Sequence, residues 1–325
     1  MTPLREADGC SSTPGDRSWS VGYRVRFDEA GPDGFVRPAV LLAMAQDCAW
    51  LHSNRLGFNR AWYASRGLTW LVRAVRLDLR AAIWSGSKLC VRTEIVGFRP
   101  ASARRRTEIT VSSGATLGEP DPLGALVETD WALTDQDGHP ARVPPELLER
   151  FTAAGDSLEA SFAPIRVRSR PPSPLDDVAV APAILHERIR WSDADPMAHL
   201  NNGRALDLVD EALASSPAAA ALLRRFPRQY CVEYRTPLAL GLPLVLTVRP
   251  SRTVPGGRLG PRIHRGASSG RAQRSGRRRP RRSPHGGRPR VNDQPGFEPS
   301  TAPRDKGAVT PRRYRVAMSH ERCPG

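Results

Sequence analysis

The amino-acid sequence predicts an α+β protein in which two antiparallel sheets are each wrapped around a long helix, followed by a disordered tail. Three observations predict this fold class. An apolar helix of about 20 residues lies among strands that alternate apolar and polar side chains. The same order of elements returns in the second half of the chain. After residue 252 the sequence becomes rich in Arg, Gly and Pro.

The composition indicates a folded body joined to a segment without a core. Hydrophobic residues make up 39% of the 325 residues, and 31 prolines and 27 glycines accompany them. The net charge of +16 lies almost wholly in residues 253–325, which hold 18 basic and 4 acidic side chains, against 31 and 29 in residues 1–252. Nucleic-acid binding through charge is therefore restricted to the tail.

The cysteines and the N-terminus favour a cytoplasmic protein. The five cysteines are scattered without metal-ligand spacing, so we expect reduced thiols and neither a metal nor another cofactor. Residues 1–17 are polar and turn-rich, which predicts a disordered N-terminus without a signal peptide. No apolar stretch is long enough to span a bilayer.

The first unit, residues 18–151, begins with an alternating strand and continues into the long helix. Pro38 suits the first turn of that helix and Gly57 suits its C-terminal end. A helix that is apolar on most faces is usually enclosed by other structure. The predicted elements are a strand at Ser20–Phe27, the helix at Arg37–Leu56, strands at Leu68–Leu79, Lys88–Phe98, Ala103–Ser112 and Leu123–Thr134, and a short helix at Pro144–Phe151.

A linker at residues 152–179 separates this unit from a second one at residues 180–252, which repeats the order in shortened form. Its predicted elements are a strand at Ala183–Trp191, a helix at Asn201–Leu213, and strands at Arg228–Arg235 and Leu242–Arg249. We interpret this as an internal duplication, because the strand-to-helix entry falls at the same place in both units. Two unrelated α+β domains are the alternative. About two strands are missing from the second unit.

The loop between the second unit's first strand and its helix carries the candidate chemistry. It reads Asp193-Ala194-Asp195-Pro196-Met197-Ala198-His199-Leu200-Asn201-Asn202. The first turn of a helix has unpaired N–H groups and the positive end of the dipole, which can polarise a carbonyl oxygen. A carboxylate beside it can act as a general base or a nucleophile, and a histidine can orient water. The structural alternative is that these side chains only cap the helix.

The segment DADPMAHLNN resembles the D-x-D-x-x-G-H-V-N-N signature of hotdog-fold thioesterases. The order of both units is similar to that of the acyl-ACP thioesterase family over residues 19–252. Weaker similarities are Tyr23–Glu29, Ala45-Gln46-Asp47 in the long helix, Trp131-Ala132-Leu133 and Val232–Arg235. The resemblance implies a double hotdog that hydrolyses fatty acyl-ACP or acyl-CoA thioesters. Its partner would be the acyl carrier protein or coenzyme A thioester.

Carried over by motif, the resemblance implies that Asp195, His199 and Asn201 are catalytic and that Leu200, Asn202, Gln46 and Asp47 contact the substrate. We expect the backbone N–H groups near Leu200 and Asn201 to polarise the carbonyl. The acyl chain would lie between the halves along Val40–Leu51.

Three positions depart from the family pattern. Met197 and the pair Pro237-Leu238 replace polar residues of the plant enzymes and favour the bacterial type. Ala198 replaces a glycine, so a positive φ at this position would be strained.

Other hypotheses remain for the body and for the tail at residues 253–325. The body could bind acyl groups without catalysis, since Ala198 is unusual and strands are missing. The run Arg277–Arg282 could neutralise nucleic-acid phosphates, although few aromatic residues accompany it for base stacking. The tail could also be solvated and functionless, or the product of a shifted reading frame. A second sheet lacking its last strands would expose an edge, which a homodimer would cover.

Overall fold

The computed structural model describes residues 17–112, 121–152, 162–167, 182–252 and 312–320. The predicted N-terminal disorder and the run Arg277–Arg282 lie outside these residues. Within them no helix is both long and apolar enough to cross a membrane.

The helices and strands follow the predicted order, with additions. The strands are β1 (Ser18–Arg24), β2 (Thr69–Leu79), β3 (Lys88–Arg99), β4 (Ser102–Val111), β5 (Leu123–Thr134), β6 (Ala183–Arg188), β7 (Arg228–Glu233), β8 (Pro243–Arg252) and β9 (Arg312–His320). The helices are α1 (Pro38–Arg55), α2 (Arg60–Ala64), α3 (Pro145–Thr152), α4 (Asn202–Ala214) and α5 (Pro217–Ala220). Three short 3₁₀ turns occupy Phe27–Glu29, Trp191–Asp193 and Ala221–Arg224.

The strands form one continuous sheet rather than the two predicted, in the order β1-β3-β4-β5-β2-β7-β9-β8-β6. The join is an antiparallel pairing of β2 with β7, from Ala74 opposite Glu233 to Leu79 opposite Arg228. Without it each half would expose an unpaired strand edge. Helices α1 and α4 lie against this sheet, and one apolar core includes Leu41 and Leu42 of α1 together with Leu206 and Val209 of α4.

The sequence predicts a disordered tail, but nine of its residues form the strand β9. Strand β9 lies between β7, to which it is antiparallel, and β8, to which it is parallel. It covers the edge that we expected to be open after β8. The sequence reason is an alternation of Tyr314, Val316 and Met318, which the surrounding arginines and glycines conceal.

The cysteines only partly match the expectation of reduced thiols. Cys48 is a buried free thiol and Cys231 is a half-buried free thiol. Cys90, however, is disulfide-bonded. Scattered spacing does not indicate which cysteines approach one another in the fold.

The connecting segment 162–167 is fixed to the outer face of the sheet by two buried carboxylates. Asp130 accepts two hydrogen bonds from the Arg104 guanidinium, at 2.7 and 2.9 Å, and one from the backbone N–H of Ile165 at 2.7 Å. Glu233 accepts from the backbone N–H of Val167 at 2.9 Å. Because both carboxylates are almost fully buried, the segment is held where the two halves of the sheet meet.

We predict that Asp130→Ala lowers the free energy of unfolding by about 3 kcal/mol, because it leaves the buried Arg104 guanidinium without its counter-charge. Urea denaturation monitored by circular dichroism measures this change. The control is Glu94→Ala, whose carboxylate is more exposed and lies 3.6 Å from Arg92. It should cost less than about 1 kcal/mol. Equal losses from the two variants would contradict the assignment.

Candidate active site

The loop between β6 and α4 folds into a tight turn that presents Asp195. The backbone N–H of Asp195 donates to the carbonyl of His199 at 2.8 Å, and the N–H of Ala198 donates to the carbonyl of Asp195 at 2.9 Å. Ala198 has a φ of 57°. This is a left-handed conformation that favours glycine. The turn accordingly accepts strain in presenting the carboxylate.

The loop between β1 and α1 has the same backbone hydrogen bonds. The N–H of Gly31 donates to the carbonyl of Phe35 at 2.8 Å, and the N–H of Gly34 donates to the carbonyl of Gly31 at 2.9 Å. Gly31 takes the place of Asp195 and Phe35 takes the place of His199. The two loops thus share a conformation, but only the second carries the Asp and His side chains.

The Asp195 carboxylate is half-buried and held by the backbone of its own loop. Its Oδ1 accepts from the N–H of Met197 at 2.9 Å and from the N–H of His199 at 3.2 Å. Among the described residues Oδ2 has no hydrogen-bond partner. One carboxylate oxygen is therefore positioned while the other can engage a water or a substrate.

Asp195 borders a cavity of about 580 Å³, within the usual range for small-molecule sites. Pro196 and Met197 of the same loop border it as well. The other walls come from α1, α2, α3 and strands β2 to β5, and most of these side chains are apolar or aromatic, including Tyr63, Trp70, Ile95, Phe98, Leu147 and Phe151. Such a lining excludes water and suits a lipid-like group.

The cavity lies mainly against the first half of the chain. We expected the acyl chain along Val40–Leu51, but Val40, Leu41 and Met44 belong to the packed core. The part of α1 that borders the cavity runs from Gln46 to Ser53. The start of the cavity-lining stretch of α1 is thus shifted from Val40 to Gln46, which is about one and a half helical turns.

Two buried donors in the cavity wall lack acceptors. The Nε2 of Gln46 and the Nε1 of Trp131 are inaccessible to solvent and have no hydrogen-bond partner among the described residues. Leaving buried N–H groups unpaired costs about 1–3 kcal/mol each, so such groups usually serve a function. A rotation of either side chain toward the cavity would let its N–H group donate to a bound carbonyl oxygen.

The prediction that the backbone N–H groups near Leu200 and Asn201 polarise the substrate carbonyl is wrong. The backbone N–H of Leu200 donates to the carbonyl of Leu238 at 2.8 Å, and that of Asn201 donates to the carbonyl of Asp193 at 2.8 Å. Short bridges to neighbouring segments therefore occupy both N–H groups. Neither Leu200 nor Asn201 borders the cavity.

The two asparagines stabilise the start of α4. The Asn201 side chain is the N-cap and accepts from the N–H of Gly203 at 2.8 Å and that of Arg204 at 3.4 Å. This is the capping role that the sequence left as an alternative. The Asn202 carbonyl accepts from the Tyr234 hydroxyl at 2.9 Å, which ties α4 to the chain segment after β7.

His199 and Asp47 contribute less directly than expected. The His199 imidazole makes no hydrogen bond within the described residues, and it is absent from the cavity lining. The residue acts on Asp195 through its backbone N–H. Asp47 accepts from the Tyr23 hydroxyl at 2.7 Å on the side of α1 that faces β1, and burial raises the pKa of that phenol. Of the two α1 residues expected to contact the substrate, only Gln46 borders the cavity.

A second cavity of about 450 Å³ accompanies the equivalent loop of the first half. Gly31 occupies the position equivalent to Asp195, and several ion pairs line this cavity. Arg37 pairs with Asp207 at 2.8 Å, and Arg204 pairs with Asp193 at 3.0 Å. This charged lining does not suit an acyl chain, which leaves the cavity beside Asp195 as the candidate site.

Comparison with known proteins agrees with this architecture. Residues 16–151 match the family model for the acyl-ACP thioesterase N-terminal domain. No curated protein matches the chain significantly.

Two similar solved structures are an acyl-ACP thioesterase from Bacteroides thetaiotaomicron and a 12:0-ACP thioesterase from Umbellularia californica. The first has 16% identity and a TM-score of 0.55, over 70% of this chain and 85% of that one. The second has 17% identity and a TM-score of 0.55, over 76% and 91%. At this identity the likeness establishes the fold, which is of the hotdog type.

We predict that Ala198→Gly raises the free energy of unfolding by about 0.5–1 kcal/mol, because glycine adopts a positive φ without strain. Thermal denaturation of the two proteins measures the difference. The matched variant is Gly34→Ala at the equivalent turn, where φ is 82° and an added Cβ would lie 3.2 Å from the Trp84 ring. It should be destabilising, by about 1–2 kcal/mol. Changes of the same sign in both variants would contradict this account of the turns.

Proposed function

We propose that this chain, which belongs to the acyl-ACP thioesterase family through residues 16–151 and is thus a thioester hydrolase, cleaves fatty acyl thioesters in the cavity beside Asp195. One observation carries the proposal. Within the described residues, a carboxylate with one oxygen fixed and the other without a partner borders an apolar cavity, and two N–H donors without acceptors belong to residues of its wall. These are the parts that hydrolysis of a lipid-like thioester requires.

Asp195 acts as the general base in this proposal. Its Oδ2 takes a proton from water as the water oxygen attacks the thioester carbonyl carbon. The tetrahedral intermediate then collapses, the carbon–sulfur bond breaks, and the carrier thiolate leaves with the proton that Asp195 returns. The bonds from Met197 and His199 to Oδ1 keep the carboxylate oriented throughout.

Gln46 and Trp131 stabilise the oxyanion in place of the backbone N–H groups first expected. Their N–H groups have no acceptor within the described residues, so a side-chain rotation that turns them toward the developing negative charge breaks no existing hydrogen bond. His199 and Asn201 are positioning residues, which hold Asp195 and the start of α4. Leu200 and Asn202 support the same turn without contacting the substrate.

The chain architecture in this proposal is a double hotdog, with β9 completing the second half. The shared hydrogen bonds of the two loops and the matching order of β1, α1, β2, β3 and β6, α4, β7, β8 support it. The substrate is a fatty acyl group on the acyl carrier protein or on coenzyme A. Both carriers occur in the cytoplasm, which is the location that the proposed function implies.

We predict that Asp195→Asn lowers kcat on acyl-CoA substrates by about 100- to 10,000-fold, because the amide cannot accept the proton of water. Release of free thiol, followed with a chromogenic disulfide, measures the rate. The control is Asp137→Asn, in the exposed turn after β5, which should retain the wild-type rate. Wild-type turnover by Asp195→Asn would overturn the assignment.

We predict that Trp131→Phe and Gln46→Leu each lower kcat by about 10- to 1,000-fold while changing KM less, because each variant removes a donor needed mainly in the transition state. Trp131→Phe keeps most of the aromatic surface and removes the N–H group. Steady-state kinetics over a range of acyl-CoA concentrations separates kcat from KM. Gln136→Leu, in an exposed turn, serves as the control. A rise in KM with unchanged kcat would show that these groups only bind the substrate.

A further inference from the structure

Three consecutive arginines in β4 have very different partners. Arg104 forms the buried ion pair with Asp130, and Arg106 lies 3.5 Å from Glu128 and 3.8 Å from Glu94. Arg105 points to the opposite face of the sheet, as strand alternation requires. There it has no carboxylate within ion-pair distance among the described residues.

Arg105 lies in the wall of the cavity beside Asp195 and is 8% exposed. Its only side-chain hydrogen bond within the described structure joins Nη1 to the Nδ1 of His52, at 3.1 Å. The guanidinium also lies 5.8 Å from the centre of the Phe151 ring. Its remaining N–H groups therefore have no acceptor from the described parts of the chain.

The groups that face Arg105 from neighbouring elements do not neutralise its charge. Cys48 of α1 remains a thiol, because burial raises its pKa to about 12. Tyr63 of α2 offers a hydroxyl group rather than a carboxylate. Burial lowers the pKa of Arg105 to about 10, so the guanidinium keeps its charge at neutral pH. A buried charge without a counter-charge is strongly unfavourable, and a bound anion would relieve it.

Arg105 lies in a buried part of the cavity wall, whereas the Asp195 loop lies near the opening of the cavity. Met197 and Trp50 are about half exposed, so they mark the opening of the cavity. Arg105 lies instead with Phe151, which is fully buried. A substrate that places its thioester at the Asp195 loop would extend its acyl chain along the wall that contains Arg105.

We propose that the cavity accepts acyl groups that bear a carboxylate remote from the thioester, with Arg105 as the residue that binds this carboxylate. A guanidinium with free N–H groups matches a carboxylate in a two-point contact. An alkyl chain would instead leave the guanidinium buried and unpaired. The inference rests on the proposed function, since it concerns the acyl group of the same thioester.

The test compares the coenzyme A monothioesters of adipic, suberic and sebacic acid with monocarboxylic thioesters of equal length. The measured quantity is the ratio of kcat/KM for each pair. In wild-type protein we expect the ratio to favour the dicarboxylic member, and we expect Arg105→Met to lower it by about 10- to 100-fold. Arg106→Met is the matched control, because that neighbouring side chain faces the other side of the sheet. It should leave the ratio within about twofold.

A ratio that Arg105→Met leaves unchanged would overturn the inference while leaving the proposed function intact. If wild-type protein hydrolyses neither the dicarboxylic nor the monocarboxylic thioester, the proposed function itself is contradicted. Binding then decides the inference separately, by calorimetry with amide analogues in which nitrogen replaces the thioester sulfur. Wild-type protein should bind the carboxylated analogue at least about tenfold more tightly than the alkyl one. Equal affinities would overturn it, and this measurement does not depend on whether Arg105→Met folds.

Discussion

The arrangement of the site depends on the hydrogen bonds that the Asp195 carboxylate accepts from its own loop. Two backbone N–H groups hold Oδ1, and the left-handed turn at Ala198 brings those N–H groups into place. The equivalent loop of the first half makes the same turn with Gly34 and has Gly31 at the position of the carboxylate. In the proposed function, a shared backbone conformation therefore becomes a reactive site in one half through a few side chains.

The same loop explains why the oxyanion donors must come from elsewhere. The N–H groups of Leu200 and Asn201 are used in bridges that join the loop to neighbouring segments. Two donors of the cavity wall that lack a partner within the described residues belong to α1 and β5 of the first half, at Gln46 and Trp131. In the proposed mechanism the site is thus assembled from both halves, with the base supplied by one and the carbonyl-binding groups by the other. The continuous sheet and the α1–α4 packing hold these parts together.

Local pattern predicted most of the fold and part of the site. Alternation and helical periodicity located the strands and long helices, and the motif drew attention to the loop that carries Asp195 and Ala198. Pairing between distant segments could not be predicted in this way, because it depends on tertiary register. The bridge from Leu200 to Leu238 and the β2–β7 join are both of this kind. Arg105 is an intermediate case. Alternation predicts which face of the sheet its side chain occupies, whereas its lack of a carboxylate partner among the described residues appears only when the neighbouring elements are in place.

The most direct test of the central claim is a crystal structure with an acyl amide analogue in which nitrogen replaces the thioester sulfur. The account predicts that the carbonyl oxygen lies within hydrogen-bonding distance of Gln46 Nε2 or Trp131 Nε1, with the carbonyl carbon facing Asp195 Oδ2 across the space of one water. An acyl group bound in the charged cavity beside Gly31, or a carbonyl turned away from Asp195, would contradict it.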